Sequence, residues 1–151
     1  MINSFKGEYF FLSNFFEAPV TYDGILYQSN EAAFQAQKTL DIEKRKTFAD
    51  LKPSRAKALG RSRSLNLRKD WEIVKVDIMR DICFAKFNQN PKLKKLLMET
   101  SNEKLEEGNN WGDDFWGTVK GKGENHLGII LMEIRDVFLR EAGLASAIII
   151  G

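Results

Sequence analysis

The spacing of apolar residues predicts a chain built mainly from helices. From about Leu67 to Asn88, apolar residues recur every three or four positions, at Trp71, Val74, Ile78, Ile82 and Ala85. This spacing places them on one face of an amphipathic helix that packs on the core. A second apolar stripe follows Asn125 and predicts a last helix that this residue caps. The stripe consists of Leu127, Ile130, Leu131, Ile134, Val137, Phe138 and Leu139.

Turn and cap residues predict shorter elements earlier in the chain. Asp23-Gly24 lies between apolar residues, which is a strong hairpin signal. Ser29 is a suitable N-cap for a helix that runs through Thr39 or Leu40. Asp41 is placed to cap a short surface helix.

Two prolines mark further helix starts. Pro53 lies near the start of a predicted helix and Gly60 near its end, and Pro91 begins another helix after a break at Asn90. A short strand is predicted around residues 104–110, followed by an irregular Gly-rich segment over residues 109–124. We therefore predict an α+β fold, mainly helical with a small antiparallel sheet, in a single domain over residues 1–151.

Composition narrows the class of protein. The chain has 151 residues, 43% of them hydrophobic and 29% charged, and a net charge of +2. These values are typical of a soluble globular domain, and so small a charge does not by itself indicate a nucleic-acid or membrane partner. The start of the chain lacks the pattern of a signal peptide, so we expect a cytoplasmic protein with no membrane association. Cys83 is the only cysteine and His126 the only histidine, which predicts a buried thiol and no metal site.

One predicted helix carries a polar stripe. Glu31, Gln35 and Lys38 follow one another at helical spacing in an otherwise Ala-rich stretch, so they project to one side. This side faces either water or a pocket that binds polar ligands.

The irregular segment "WGDDFWGTVKGKGEN" is the second candidate site. Trp111 and Trp116 suit either the stacking of a planar base or the core. Asp113 lies between them, and the segment ends at a helix start, where a phosphate can bind. Lys122 does not fit the P-loop pattern, because Gly121-Lys122 is followed by glycine and not by serine or threonine. The basic stretch "GRSRSLNLRK" offers either a phosphate grip or a solvated junction.

Three blocks of the chain resemble the YbiA-like, or NADAR, superfamily of N-glycosidases. They are "FLSNFFEAPVTYDGILYQSNEAAFQAQK", "ALGRSRSLNLRKDWEIVKVDIMRDICFAKF" and "GNNWGDDFWGTVKGKGENHLGIILMEIR". The resemblance implies a YbiA-like fold and cleavage of a bond between ribose C1 and a nitrogen, with no cofactor. It implies one of two substrates, a phosphoribosylamino-pyrimidine intermediate of riboflavin synthesis or ADP-ribosylated guanine in nucleic acid.

The resemblance also assigns roles to site residues. Glu31 matches the motif glutamate and is expected to stabilise the positive charge on ribose or activate water, with Asp113 as a second acid or base. Lys38 or Lys122 could instead form a Schiff base with the opened sugar. The expected substrate-binding residues are Asn14, Gln35, Arg61, Trp71, Trp111, Trp116, Lys122 and Asn125.

Two other classes of protein remain open at this point. A binding module for ADP-ribose or a related nucleotide would use the same pocket without cleaving its ligand. An interaction protein would instead use the apolar tail "LASAIIIG" for assembly.

Overall fold

A computed structural model describes the backbone of residues 1–150 and the side chains of residues 1–143. The chain forms two compact units, residues 13–91 and residues 1–12 together with the chain from residue 92 onward. Helices dominate, and the sheet of the first unit is a small antiparallel one, so the predicted α+β class is confirmed. The assignment of residues 1–151 to a single domain stays a prediction.

The unit of residues 13–91 begins with the predicted hairpin. Strand β1 (Glu17–Tyr22) pairs antiparallel with β2 (Ile25–Ser29). The two turn residues, Asp23 and Gly24, have φ of 49° and 82°. Positive φ at both positions is the geometry of a type I′ turn, whose twist suits a two-residue hairpin.

Helix α1 (Asn30–Ala36) follows the hairpin directly. As predicted, Ser29 is its N-cap, and its hydroxyl accepts a hydrogen bond from the N–H of Ala32 at 3.1 Å. The helix ends at Ala36, earlier than the predicted end at Thr39 or Leu40, because the N–H groups of Gln37 and Lys38 bond to carbonyls three residues back. All seven residues of α1 are buried, so Glu31 and Gln35 of the polar stripe do not face water.

Two short helices lie between α1 and the long helix. Helix α2 (Ile42–Lys46) is capped by the side chain of Asp41, and α3 (Pro53–Gly60) has proline at its first turn, both as predicted. Helix α3 packs against α1. This contact brings the end of α3 beside the polar residues of α1.

Helix α4 (Trp71–Gln89) starts four residues later than the predicted start near Leu67. The backbone N–H of Arg68 bonds instead to the carbonyl of Lys38 at 2.7 Å, which ties this segment to the residues that follow α1. The buried face of α4 also differs from the predicted stripe, because Val74, Ile78 and Ala85 are only half-buried. Its buried residues are Trp71, Met79, Ile82, Cys83, Lys86 and Phe87.

The other unit combines both ends of the chain. It contains a 3-10 helix (Gly7–Leu12), helix α5 (Pro91–Glu99) and the two short strands β3 (Gly108–Asn109) and β4 (Thr118–Val119). Strands β3 and β4 are parallel, which the prediction of a purely antiparallel sheet did not include.

Helix α6 (His126–Ile150) supplies the apolar face of this second unit. Five of the seven predicted stripe residues are buried, whereas Val137 and Leu139 are more than one-third exposed. The role in assembly considered for the tail, residues 144–151, depends on side chains that lie outside the part of the chain described by the structure. Across the described residues, helices that are both long and apolar enough to cross a membrane are absent.

Candidate functional site

Glu31 is a buried carboxylate held at the start of α1. Its backbone N–H donates to the carbonyl of Asn14 at 3.0 Å, which ties the first turn of the helix to the preceding loop. Its Oε1 accepts a hydrogen bond from Nε2 of Gln35 at 2.8 Å. Only 7% of Glu31 is exposed, so its carboxyl group is both fixed and largely removed from water.

Three cations act on this carboxyl group. Burial raises the pKa of Glu31, while the hydrogen bond from Gln35 and the charges of Lys57, Lys38 and Arg61 lower it. Burial is the largest of these effects. A carboxylate in such surroundings interacts strongly with any charge that develops beside it, because little water screens it.

Lys38 lies just beyond the end of α1 and is half-buried. Its ammonium donates to the carbonyl of Gly60 at 3.4 Å and lies 6.0 Å from the centre of the Trp71 ring. Burial lowers the pKa of Lys38, and the charge of Glu31 partly offsets that effect. The structure therefore brings the predicted Glu31, Gln35 and Lys38 together, although Lys38 is outside the helix.

Trp71 is part of the core of this unit. It is 6% exposed, and its ring packs on Phe34 with centroids 5.0 Å apart. The predicted stacking of a ligand on Trp71 is therefore restricted to the small part of the ring that stays accessible.

Asn14 contributes to a polar cluster underneath α1. Its Nδ2 donates to Sδ of Met79 at 3.4 Å, and its Oδ1 accepts from Nδ2 of Asn30 at 3.2 Å. Asn30 also contacts Sγ of Cys83 at 3.6 Å. Burial raises the pKa of the Cys83 thiol to about 12, so Cys83 is the buried, unreactive thiol that was predicted.

Sequence reasoning missed two residues next to the group of Glu31, Gln35 and Lys38. Lys57 and Gly60 both lie on α3, and Lys57 is one helical turn before the predicted Arg61. The spacing of Lys57 and Arg61 was a usable signal, because residues four apart lie on one side of a helix. The proximity of Gly60 depends on how α3 packs on α1, for which the sequence holds no comparable signal.

The basic stretch after α3 is only partly available to a ligand. Arg63 is exposed. Arg68 is engaged within the protein, because Nε and Nη2 of its guanidinium donate to both carboxylate oxygens of Asp70 at 2.6 and 3.0 Å.

The remaining predicted residues belong to the other unit. Asp113 forms a turn there, since its Oδ1 accepts hydrogen bonds from the N–H groups of Phe115 at 3.2 Å and Trp116 at 3.0 Å. Trp111, in contrast, is 55% exposed. The Asp113 turn fixes the loop between the two tryptophans, and a catalytic role for Asp113 stays a prediction.

Trp116 and His126 pack around Phe115. The ring of Phe115 meets that of Trp116 edge to face at 4.8 Å and lies 4.5 Å from His126. His126 is thus packed, as its sequence context indicated. Trp116 is half-buried, which is compatible with both of the roles considered for it.

The side chain of Asn125 is engaged in hydrogen bonds within the protein, whereas Lys122 is exposed. Asn125 was predicted to cap α6, but its side chain makes other contacts. Its Oδ1 accepts a hydrogen bond from the N–H of Glu107 at 3.0 Å, and its Nδ2 donates to the carbonyl of Leu105 at 3.0 Å. Both ends of its amide therefore hold the loop. Lys122 is exposed in a tight turn, where its backbone pairs with Val119.

Among the described residues, no cluster of three or more His, Cys, Asp or Glu side chains is arranged to hold a metal ion.

Comparisons with known proteins agree in sequence and in fold. The NADAR domain model matches residues 3–139. The N-glycosidase YbiA of Escherichia coli (strain K12) is 42% identical over 135 residues, which cover 88% of this chain and 84% of that protein. The NMR structure of E. coli YbiA matches with a TM-score of 0.80 at 38% identity, covering 94% of this chain and 89% of the other.

A longer relative carries a different name. A riboflavin biosynthesis protein of Vibrio vulnificus is 36% identical over 128 residues, which cover 83% of this chain and 35% of that protein. The family model covers most of the chain, and the identity to YbiA extends over nearly the same length. The chain therefore belongs to the NADAR domain family.

Proposed function

We propose that this protein is an N-glycosidase that hydrolyses the bond between C1 of a ribose and a nitrogen. The observation that carries the proposal is the buried Glu31 carboxyl group, held by Gln35 and surrounded by Lys57, Lys38 and Arg61. The names of the relatives support the reaction class, since YbiA is an N-glycosidase.

Breaking the C1–N bond leaves positive charge on the sugar ring as the nitrogen takes the bonding electrons. A carboxylate beside C1 stabilises that charge, or accepts a proton from the water that attacks C1. The raised pKa of Glu31 suits it to accept a proton, while the hydrogen bond from Gln35 and the nearby cations favour the charged form that stabilises a cationic ring. The leaving nitrogen must gain a proton, and Asp113 stays the predicted donor on the sequence resemblance alone.

The neighbouring cations suit the phosphate of the substrate. Both proposed substrate classes contain ribose linked to phosphate, and an exposed arginine beside a half-buried lysine matches such a group. We propose Arg61 and Lys57 for this contact, whereas Lys122 and Trp111 stay predicted binding residues on the sequence resemblance alone.

Lys38 supports an alternative route for the same reaction. Burial lowers the pKa of Lys38, which increases the neutral fraction of its amine. A neutral amine can attack C1 of the substrate, so that the C1–N bond breaks and the leaving nitrogen departs with the bonding electrons and a proton. Opening of the sugar ring then gives an imine on Lys38, which water hydrolyses to release the ribose. If this route operates, borohydride added during turnover should reduce the imine and leave a stable sugar adduct on Lys38, detectable by mass spectrometry and absent in Lys38→Arg.

The substrate class is proposed in two forms, a phosphoribosylamino-pyrimidine and ADP-ribosylated guanine in nucleic acid. The name of the Vibrio relative favours the first form. The small net charge of +2 also favours a small substrate, because a large nucleic-acid footprint needs a strongly basic surface.

The deciding experiment supplies both substrates in parallel and measures the released base by chromatography. Wild type should cleave at least one substrate, and Glu31→Gln should lose on the order of 10²-fold or more of that turnover. Glu43→Gln is the matched control, because Glu43 is an exposed glutamate on α2. Tight binding of ADP-ribose with no cleavage of either substrate would instead identify a binding module.

A further inference from the structure

The side chain of Gln35 lies directly on the backbone of Gly60. A Cβ atom built on Gly60 would collide with Oε1 of Gln35 and would lie 2.7 Å from its Cδ and 3.0 Å from its Cβ. Real Cβ atoms essentially never come within 3.0 Å of another heavy atom, so any other residue at position 60 would force the Gln35 side chain to move.

The backbone conformation of Gly60 does not require glycine. Gly60 is the last residue of α3 and is not among the residues with positive φ. Alanine would be the better helix former at such a position. The space occupied by Gln35 therefore accounts for the glycine.

Within the part of the chain that the structure describes, the amide of Gln35 forms a hydrogen bond through its nitrogen and not through its oxygen. Its Nε2 donates to Oε1 of Glu31, whereas its own Oε1 is buried without a hydrogen-bond partner among the described residues. A buried acceptor without a partner is unfavourable, so the gain from this arrangement lies on the Glu31 side of the amide. Gly60 also accepts a hydrogen bond from Lys38 through its carbonyl.

We propose that Gly60 is a positioning residue, whose missing side chain admits the Gln35 amide that fixes the carboxyl group of Glu31. The expected loss of turnover rests on the proposed role of Glu31, whereas the expected effect on the ionisation of its carboxyl group does not. The hydrogen bond from Gln35 favours the charged form and lowers the pKa of Glu31. Displacing the amide should therefore raise this pKa further.

The test is Gly60→Ala, with the Glu31 carboxyl group followed by NMR in protein labelled with ¹³C at Glu side chains. The Glu31 signal is assigned by its loss in Glu31→Gln. We expect the pKa of Glu31 to rise in Gly60→Ala and in Gln35→Met, which removes the amide but keeps its length. We also expect kcat to fall by roughly 10- to 100-fold with KM little changed, as for a misplaced catalytic group. Ala58→Ser, an exposed change on α3, should alter neither quantity.

A double variant keeps the proposal testable if Gly60→Ala folds poorly. Gly60→Ala/Gln35→Ala removes Oε1 and Cδ of Gln35, the two atoms that would lie nearest to the new methyl group, and leaves only the Cβ at 3.0 Å. The double variant should therefore be more stable than the sum of its two single variants. A double variant that is no more stable than this sum would overturn the proposal. A wild-type pKa of Glu31 and a wild-type kcat in folded Gly60→Ala would overturn it as well. Normal turnover by Glu31→Gln would refute the proposed function alone, because the carboxyl pKa would still report the positioning.

Discussion

Glu31 is an ionisable residue at a position where a negative charge is costly. Burial is the largest effect on its pKa and raises it above the usual value of 4.5. Between the usual and the raised pKa, the folded protein holds a proton on Glu31 that the unfolded chain has released. The free energy of unfolding therefore falls as the pH rises through this range, and the loss is complete above the raised pKa.

Glu31→Gln should accordingly stabilise the protein while abolishing turnover. The amide keeps the size of the side chain and has no charge to bury, so the gain in the free energy of unfolding should be small below the usual pKa of 4.5 and should grow as the pH rises from there to the raised pKa. Urea denaturation across this range measures the gain. The exposed Glu43→Gln should show no such trend, and equal stability of wild type and Glu31→Gln at every pH would contradict the prediction.

The tryptophans allow a second comparison between single residues. Trp71 is 6% exposed and packs on Phe34, whereas Trp111 is 55% exposed. Trp71→Ala should therefore cost about 3–5 kcal/mol of stability. Trp111→Ala should change stability by no more than about 0.5 kcal/mol.

Ligand affinity separates the roles of these residues. If Trp111 stacks on the base of the substrate, Trp111→Ala should weaken binding by roughly 1–3 kcal/mol while the thermal midpoint stays constant. Calorimetry of binding and of unfolding on the same samples gives both values. Unchanged affinity in Trp111→Ala would remove this ring from the binding site.

At the level of elements, α4 supports the segment that leads into the hairpin and lies against the start of α1. Lys86 on α4 is 1% exposed, and its ammonium donates to the carbonyl of Ser13 at 3.1 Å. The next residue, Asn14, accepts the backbone N–H of Glu31. Lys86 also lies over the ring of Phe87, 5.0 Å from its centre. Burial lowers the pKa of Lys86 to about 8, from a usual value of 10.5.

This lowered pKa predicts a rise of stability with pH. Below about pH 8 the lysine is charged in both states, and its full burial cost weakens the fold. Between about pH 8 and 10.5 the unfolded chain keeps a proton that the folded protein releases, so the free energy of unfolding increases. Wild type should thus gain stability relative to Lys86→Met over this range in chemical denaturation experiments.

Two controls are needed for the Lys86 prediction. The raised pKa of Cys83 lowers stability between its usual value of 9.0 and about 12, so the comparison should be repeated in a Cys83→Ala background. Lys95→Met, at an exposed position of α5, should leave the pH dependence unchanged. Parallel stability curves for wild type and Lys86→Met would show that Lys86 titrates normally.

The elements that sequence predicted well depend on local chemistry. The Asp23-Gly24 turn and the Ser29 cap involve atoms only a few residues apart, so the residue types themselves specify the geometry. The start of α4 was misplaced because the segment before it bonds to Lys38, far away in sequence. The burial of Lys86 was missed for the same reason, since its partner Ser13 lies 73 positions earlier.

Part of the candidate site could likewise be predicted from the sequence, and part of it could not. The resemblance and the helical spacing together brought Glu31, Gln35 and Lys38 into one group, and the structure keeps them together. The role of Gly60 could not be predicted, because it depends on the absence of a side chain. The need for that absence follows only from the packing of α3 on α1. The parallel pairing of β3 and β4 likewise involves strands of two residues each, too short for a sequence pattern.

At the level of the whole molecule, charge bears on the choice of substrate. Positive and negative side chains nearly balance, so electrostatic attraction of a long nucleic acid must come from a local group of cations. The segment after α3 contains such a group, but Arg68 is already paired with Asp70. Replacing Arg68 would therefore disturb the fold as well as any ligand contact. Arg63, which is exposed, is the cleaner probe.

If ADP-ribosylated DNA is the substrate, Arg63→Ala should slow its cleavage at low salt and leave cleavage of a phosphoribosylamino-pyrimidine unchanged. Wild-type cleavage of the DNA should itself slow markedly between about 50 and 200 mM salt, because phosphate contacts lose the benefit of counterion release. Arg63→Ala should reduce this salt dependence by about one phosphate contact, whereas the exposed Lys95→Ala, which removes the same charge from α5, should not. Initial rates for both substrates across a salt series measure these effects. A salt dependence that is equal for both substrates and unaffected by Arg63→Ala would place nucleic-acid recognition elsewhere on the protein and would favour the small substrate.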